Sequence, residues 1–202
     1  MMTGEHVPYD EVRAGLPLLL CADQAAWDAW LTGHGSTERG IWLVHAKKDS
    51  PVRSVTYAEA VETSLCHGWI DGQKGSYDAD VYVLRYTPRT RSSAWSQVNR
   101  GAALRLIEQG RMRPAGLAAV ERARETGAWE RAYAPASTIT VPEELQAALD
   151  ASPAAAAAFA SLDRTNRYAV LHRAQAPRTP AGRTRRIASL VDLLARGERP
   201  HP

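Results

Sequence analysis

The stretch from Cys66 to Asn99 gathers most of the side chains in this sequence that are able to do chemistry. It runs Cys66-His67-Gly68-Trp69-Ile70-Asp71-Gly72-Gln73-Lys74, passes through an apolar alternation, and continues as Arg85-Tyr86-Thr87-Pro88-Arg89 and Arg91-Ser92-Ser93-Ala94-Trp95-Ser96-Gln97-Val98-Asn99. Turn residues punctuate it, and loops commonly carry function. Arg85 and Arg89 flank Thr87-Pro88, and from Val81 to Ile107 there are five Arg and no acid. Such local charge suits an anionic ligand; the alternative is ion pairing with distant acids such as Asp71, Asp78 or Asp80. Ser93 and Ser96 precede or open a predicted helix, whose free amides favour an anion. Simple capping by Ser92 or Ser93 is the plainer reading.

Asp71 is a candidate general acid or base, or an orienter of Arg85 or Arg89. His67, at a predicted helix end, is the second acid–base candidate, against a purely structural imidazole. Trp69 and Trp95, with Trp42, are candidates for a pocket wall or for core filling. Asn99, one turn after Trp95, is expected on the same helix face as Trp95 and Ser96, as a hydrogen-bond hub or a ligand contact. A nucleophilic set of Cys66 or Ser96 with His67 and Asp71 has the residue types, but no spacing requires it and no G-x-S-x-G elbow occurs. No P-loop or GxGxxG is present. The six His are scattered without an i, i+4 pair, so neither a metal nor a cofactor is expected.

The elements that must position these residues follow from periodicity and punctuation. Strands are expected at 18–21, 40–46, from Trp69, and at 80–86, where Val81, Val83 and Arg85 share one face and Tyr82, Leu84 and Tyr86 the other. Helices are expected at 22–31, at 56–67 behind the capping box Thr56-x-x-Glu59, at 95–109, and from Pro114 to about Gly127. Gly68 stands where a helix C-terminal glycine belongs. After a Pro/Ser/Thr-rich connector at 134–142, the pattern becomes all helical: 142–149, 153–159, a helix capped by Asp163, and a last one with Ile187, Leu190, Val191 and Leu194 on its apolar face. The fold class is therefore α+β: a small mixed β-sheet with packed helices in 1–133, the linker 134–142, and an all-helical basic module in 143–202.

The 202 residues are 45% hydrophobic, which indicates a globular chain. No apolar run is long enough for a membrane span and no secretory leader is recognisable, so a cytoplasmic protein is expected. Cys21 and Cys66 are too few for a disulfide framework. Charge is uneven: residues 1–150 carry 16 basic and 19 acidic side chains, residues 151–202 nine Arg and three acids. The nine are Arg164, Arg167, Arg173, Arg178, Arg183, Arg185, Arg186, Arg196 and Arg199. They read as a solvated helical face or as a surface for nucleic acid, anionic lipid or an acidic partner.

The motifs Gly40-Ile41-Trp42-Leu43, Ala46-Lys47-Lys48, Thr56 to Ala60, Cys66 to Lys74, Arg85 to Arg89, Ser93 to Asn99 and Ile107 to Met112, with Ala158-Phe159 and Arg183 to Ile187, resemble the bacterial YdeI/OmpD-associated (OmdA-like) family, often called bacteriocin-protection proteins. The resemblance spans about residues 15–198 and implies an association with bacterial stress and resistance to antimicrobial peptides. It transfers no catalytic residue, and His67 stands where an aromatic residue is more usual in the family. The expected function is binding of a small anionic or polar ligand by Trp69, Asp71, Arg85, Arg89, Ser93, Trp95, Ser96 and Asn99. A cofactor-independent enzyme using Asp71 or His67, and nucleic-acid binding by the Arg-rich C-terminus, are the alternatives.

Overall fold

Residues 16–46 fold as strand, helix, strand, and this unit sets the frame for the first half of the chain. The structure is a computed structural model; it describes residues 7–201, with side chains from residue 12 onward. β2 (Leu16–Leu20) leads into α1 (Gln24–His34), which Asp23 caps by accepting from the Ala26 amide at 3.0 Å, and the chain returns parallel to β2 as β3 (Ile41–Ala46). A parallel return needs a crossover, and α1 supplies it. The sheet order is β1-β2-β3-β5-β4, with β1 (Val7–Arg13), β4 (Trp69–Ser76) and β5 (Val81–Pro88) all paired antiparallel to their neighbours. The sheet is thus mixed and five-stranded, and the α+β expectation holds. β1 lies outside any strand pattern read from the sequence.

β3 is buried along both faces, as a central strand must be. Ile41 and Leu43 join Leu84 and Tyr86 of β5 and Trp69 of β4 beneath α1 and α2 (Tyr57–Cys66), with Trp27, Leu31, Val55 and Ala60. Trp42 and Val44 pack on the opposite face with Leu18, Val81 and Val83. The period of two assigns His45, Tyr82 and Asp71 to the helix-covered face and Arg85 to the other. The capping box is formed: Glu59 N–H donates to Thr56 Oγ1, and the Glu59 carboxylate accepts from the Thr56 amide.

Gly68 has φ +73°, and a Cβ there would press on the Ala115 carbonyl oxygen at 2.6 Å. Both facts favour glycine: the left-handed turn out of α2 and the close approach of α4 (Pro114–Glu125). Gly116 of α4 meets the Cys66 carbonyl as closely. Between them runs α3 (Gln97–Glu108), which starts two residues later than the sequence pattern suggests.

Two units divide the described residues: the first holds the chain to Trp95 together with 99–131, the second 96–98 together with 132 onward. The second unit is helical. α5 (Glu143–Asp150), α6 (Pro153–Ala160), α7 (Arg164–Gln175) and α8 (Pro180–Ala195) enclose Leu145, Leu149, Phe159, Val170, Leu171, Ile187, Leu190 and Leu194. Asp163 caps α7 by accepting from the Asn166 amide at 2.8 Å.

Candidate functional site

The tight passage from α2 to α4 decides where charge collects in the first unit. Arg113 is the N-cap residue of α4, with Pro114 at the first helical position, and its amide donates to the Cys66 carbonyl at 3.0 Å. That bond fixes the 110–114 segment against the end of α2. The Arg113 side chain then reaches Asp28 of α1, Nη2 to Oδ2 at 3.0 Å. His67, which ends α2, donates from Nε2 to the other oxygen, Oδ1, at 2.8 Å. One carboxylate is thus held by an imidazole and a guanidinium. Beside it Arg111 pairs with Glu62, with Arg105 at 4.0 Å from the same carboxylate.

Burial is the largest single influence on Asp28 and pushes its carboxyl up. The His67 hydrogen bond, the His67 and Arg113 charges and the Arg113 hydrogen bond together outweigh it and hold the pKa below the ordinary carboxylate value.

These residues border a groove of ≈ 770 Å³, within the range that holds a small ligand. Its α1 and α2 side carries Asp23, Asp28 and Glu59 with Gln24 and Thr63; its other side is the 110–114 segment with Arg111 and Arg113. Each charge is also engaged within the protein: Asp23 accepts from Arg53 at 3.1 Å, and Glu59 belongs to the capping box. Cys66 lines the groove as well, but burial pushes its thiol up, so the thiolate that a nucleophile requires is disfavoured. Cys21 is raised further, to about 12, by burial and by Asp23, and both cysteines are free.

The predicted site residues are distributed over several places. Trp69 lies in the core edge-on to Trp27 and Trp30, with its indole N–H donated to the Gly35 carbonyl at 3.1 Å. Asp71 accepts from the Tyr57 hydroxyl at 2.9 Å on the helix-covered face. Arg85, one register position away on the opposite face, is exposed. Asp71 therefore does not orient Arg85; the pleat separates them. Arg89 and Trp95 are brought together: the guanidinium lies 3.8 Å over the indole ring and donates to the Ala94 carbonyl, and Trp95 meets Trp129 edge-on. This is a cation–π stack with both partners buried.

Ser93 accepts from the Thr90 amide at 2.9 Å, so it closes a local turn four residues ahead of α3 rather than capping that helix. Trp95 and Ser96 likewise precede the helix, so helical spacing does not relate them to Asn99. Ser96 is bridged to Tyr133 in the second unit; Asn99 is half-buried in the first turn of α3. Of the five Arg between Val81 and Ile107, Arg91 and Arg105 face Glu125 and Glu62, not the acids named from the sequence.

The residues that sequence reading missed are Asp28, Glu62, Arg111 and Arg113. The only signal available was the apposition of Arg111-Met112-Arg113 to a proline-started helix. His45 was missed too. It lies wholly buried, its Nδ1 donating to the Val55 carbonyl at 3.2 Å, with Tyr86 Oη 3.4 Å from Nε2 and the Tyr82 ring stacked on it. Among the described residues no cluster of three or more His, Cys, Asp and Glu is arranged to hold a metal, and no helix is long and apolar enough to cross a membrane.

Comparison with known families divides the chain. Residues 19–119 match the family model described as Domain of unknown function (DUF8412). Residues 138–197 match the model described as Bacteriocin-protection, YdeI or OmpD-Associated. The family named by the resemblance is therefore found in the helical tail, and most of the central motifs fall within the first model. No curated protein and no solved structure gives a match.

Proposed function

The chain belongs to the DUF8412 family over residues 19–119, and from that premise we propose that its first unit is a binding module for a small zwitterionic molecule of the amino-acid or short-peptide class. The observation that carries this reading is Asp28, held by His67 at 2.8 Å and by Arg113 at 3.0 Å beside a groove of ≈ 770 Å³. Carboxylates on the α1 and α2 side suit an ammonium group, and Arg111 and Arg113 opposite them suit a carboxylate. The Arg113 and Asp28 side chains are 53% and 36% exposed, so their pair contributes little by itself and a ligand with both charges can replace it at small cost. The tail's family is described by bacteriocin protection, and we place the binding function within a bacteriocin-protection-related role.

The test is a thermal-shift series with free amino acids and di- and tripeptides at millimolar concentration. A ligand of the native state raises the melting temperature by mass action. The expected result is a rise in the wild type that disappears in a folded Arg113→Ala variant. No rise with any zwitterion would overturn the reading.

The carboxylate-oriented imidazole supports a second reading, in which His67 acts as acid or base on the bound molecule. His67→Gln separates the two: retained binding with lost turnover marks catalysis, and unchanged binding with no turnover in either protein removes it.

A further inference from the structure

In the second unit, the outward face of α8 carries a cationic groove that the reading above leaves unused. α8 turns Ile187, Leu190 and Leu194 into the core, and its helical period sends Arg185 and Ser189 the other way with Arg186 on the flank, all three exposed. With Ala176, Pro177 and Gly182 these three line an open groove of ≈ 480 Å³.

Three acids of this unit are engaged elsewhere, and exposed Asp192, seven residues beyond Arg185 on α8, is not among the residues lining the groove. Glu144 holds Arg183 at 3.2 Å, Glu198 holds Arg196 at 2.6 Å, and Asp163 accepts from Asn166. Among the described residues, neither Arg185 nor Arg186 has a carboxylate within 4.0 Å, and both are exposed. Arg178, also exposed, stands in the same turn ahead of the helix. The first turn of α8 adds its partial positive charge.

We propose that this groove binds the phosphodiester backbone of a nucleic acid. Adjacent guanidiniums match phosphate oxygens two at a time. A lipid surface is disfavoured because docking there uses apolar side chains beside the cations. Among the described residues the exposed large hydrophobics are Val12, Tyr57, Val98, Leu104 and Leu117, none of them on α7 or α8. Among the described residues no aromatic side chain lines the groove, so bases are not stacked or read, and binding is independent of sequence.

Fluorescence anisotropy with labelled mixed-sequence RNA and DNA oligonucleotides, on the full chain over a salt series, tests this. The wild type is expected to bind at low salt and to weaken steeply as salt rises. Arg185→Glu with Arg186→Glu should lower affinity at least tenfold. The milder pair Arg185→Gln with Arg186→Gln should reduce the log–log salt slope by about 1.4 for single strands, two phosphate contacts' worth. Arg39→Glu, an exposed position in the first unit, should change little, and all variants should melt as the wild type does. Three results would each overturn the proposal: no binding at low salt, equal loss in Arg39→Glu, or binding to phosphatidylserine vesicles without binding to either oligonucleotide.

Discussion

His45 and His67 belong to the same unit and meet opposite surroundings. His45, 1% exposed in β3, is enclosed by Val55, Tyr82 and Tyr86, whose carbonyl, ring and hydroxyl carry no net charge. Burial is the main cause that lowers its pKa to about 4; the Val55 hydrogen bond opposes this and the Lys74 charge adds to it. Tyr86 is pushed up, again chiefly by burial. Both are thus held neutral. His67 instead faces a carboxylate that also holds an arginine at the edge of a groove. Both imidazoles are largely buried, the His67 side chain being 8% exposed, and the contrast lies in the partner: the carboxylate that His67 faces is a third exposed and lines the groove. A buried neutral pair has nothing to offer a ligand without unfolding around it, whereas a carboxylate and a guanidinium that both reach solvent, as Asp28 and Arg113 do, trade partners readily.

The strongest way to break the comparison is to empty the locked side. Tyr86→Ala removes a fully buried ring from between His45 and Trp27 and should cost about 3–5 kcal/mol in denaturant unfolding. A loss near 1 kcal/mol would mean that the cluster is loosely packed.

Acid comes next. The folded pKa of His45 lies below its ordinary 6.5, so the unfolded chain takes up the proton first. The contribution is intact above pH 6.5 and is lost progressively as pH falls toward about 4, by roughly 3 kcal/mol at 1.36 kcal/mol per unit. His45→Gln should flatten that part of the stability–pH curve; an unchanged slope would show that other groups carry it.

Much of the fold was legible because its signals are local. The Thr56 capping box, the Gly68 stop, the Asp163 cap and the alternation of β5 each reside in a few consecutive residues, and each formed. The start of α3 was misread because Ser93 bonds back into the Thr90 turn, a competition that capping statistics do not resolve. The groove was illegible for a different reason. Asp28 and Arg113 are 85 positions apart, and nothing in either neighbourhood announces the other. Only the close approach permitted by Gly68 and Gly116 brings them together. Asp71 and Arg85 looked like partners in sequence and were parted by the pleat.

On the exchangeable side the effects should be smaller. Asp28→Asn keeps the shape but removes the charge that His67 and Arg113 share. The expected cost is about 1 kcal/mol, because the carboxylate is a third exposed and solvent screens it. Its depressed pKa works in the usual carboxylate sense: the stability is present above the ordinary value and lost as pH falls through the folded one. A double-mutant cycle with Arg113→Ala should return a coupling of roughly 0.5–1 kcal/mol.

The smallest effect belongs to Arg53, whose side chain is 77% exposed while it pairs with Asp23 at the groove's other end. Arg53→Ala should change stability by less than about 0.5 kcal/mol, yet it frees Asp23 for the ammonium of a zwitterion. Affinity for amino acids in the same thermal-shift assay should then stay level or rise. A variant that lost binding while keeping its stability would show that Arg53 itself grips the ligand, and the division of the groove into an acidic and a basic side would have to be redrawn with Arg53 added to the basic one.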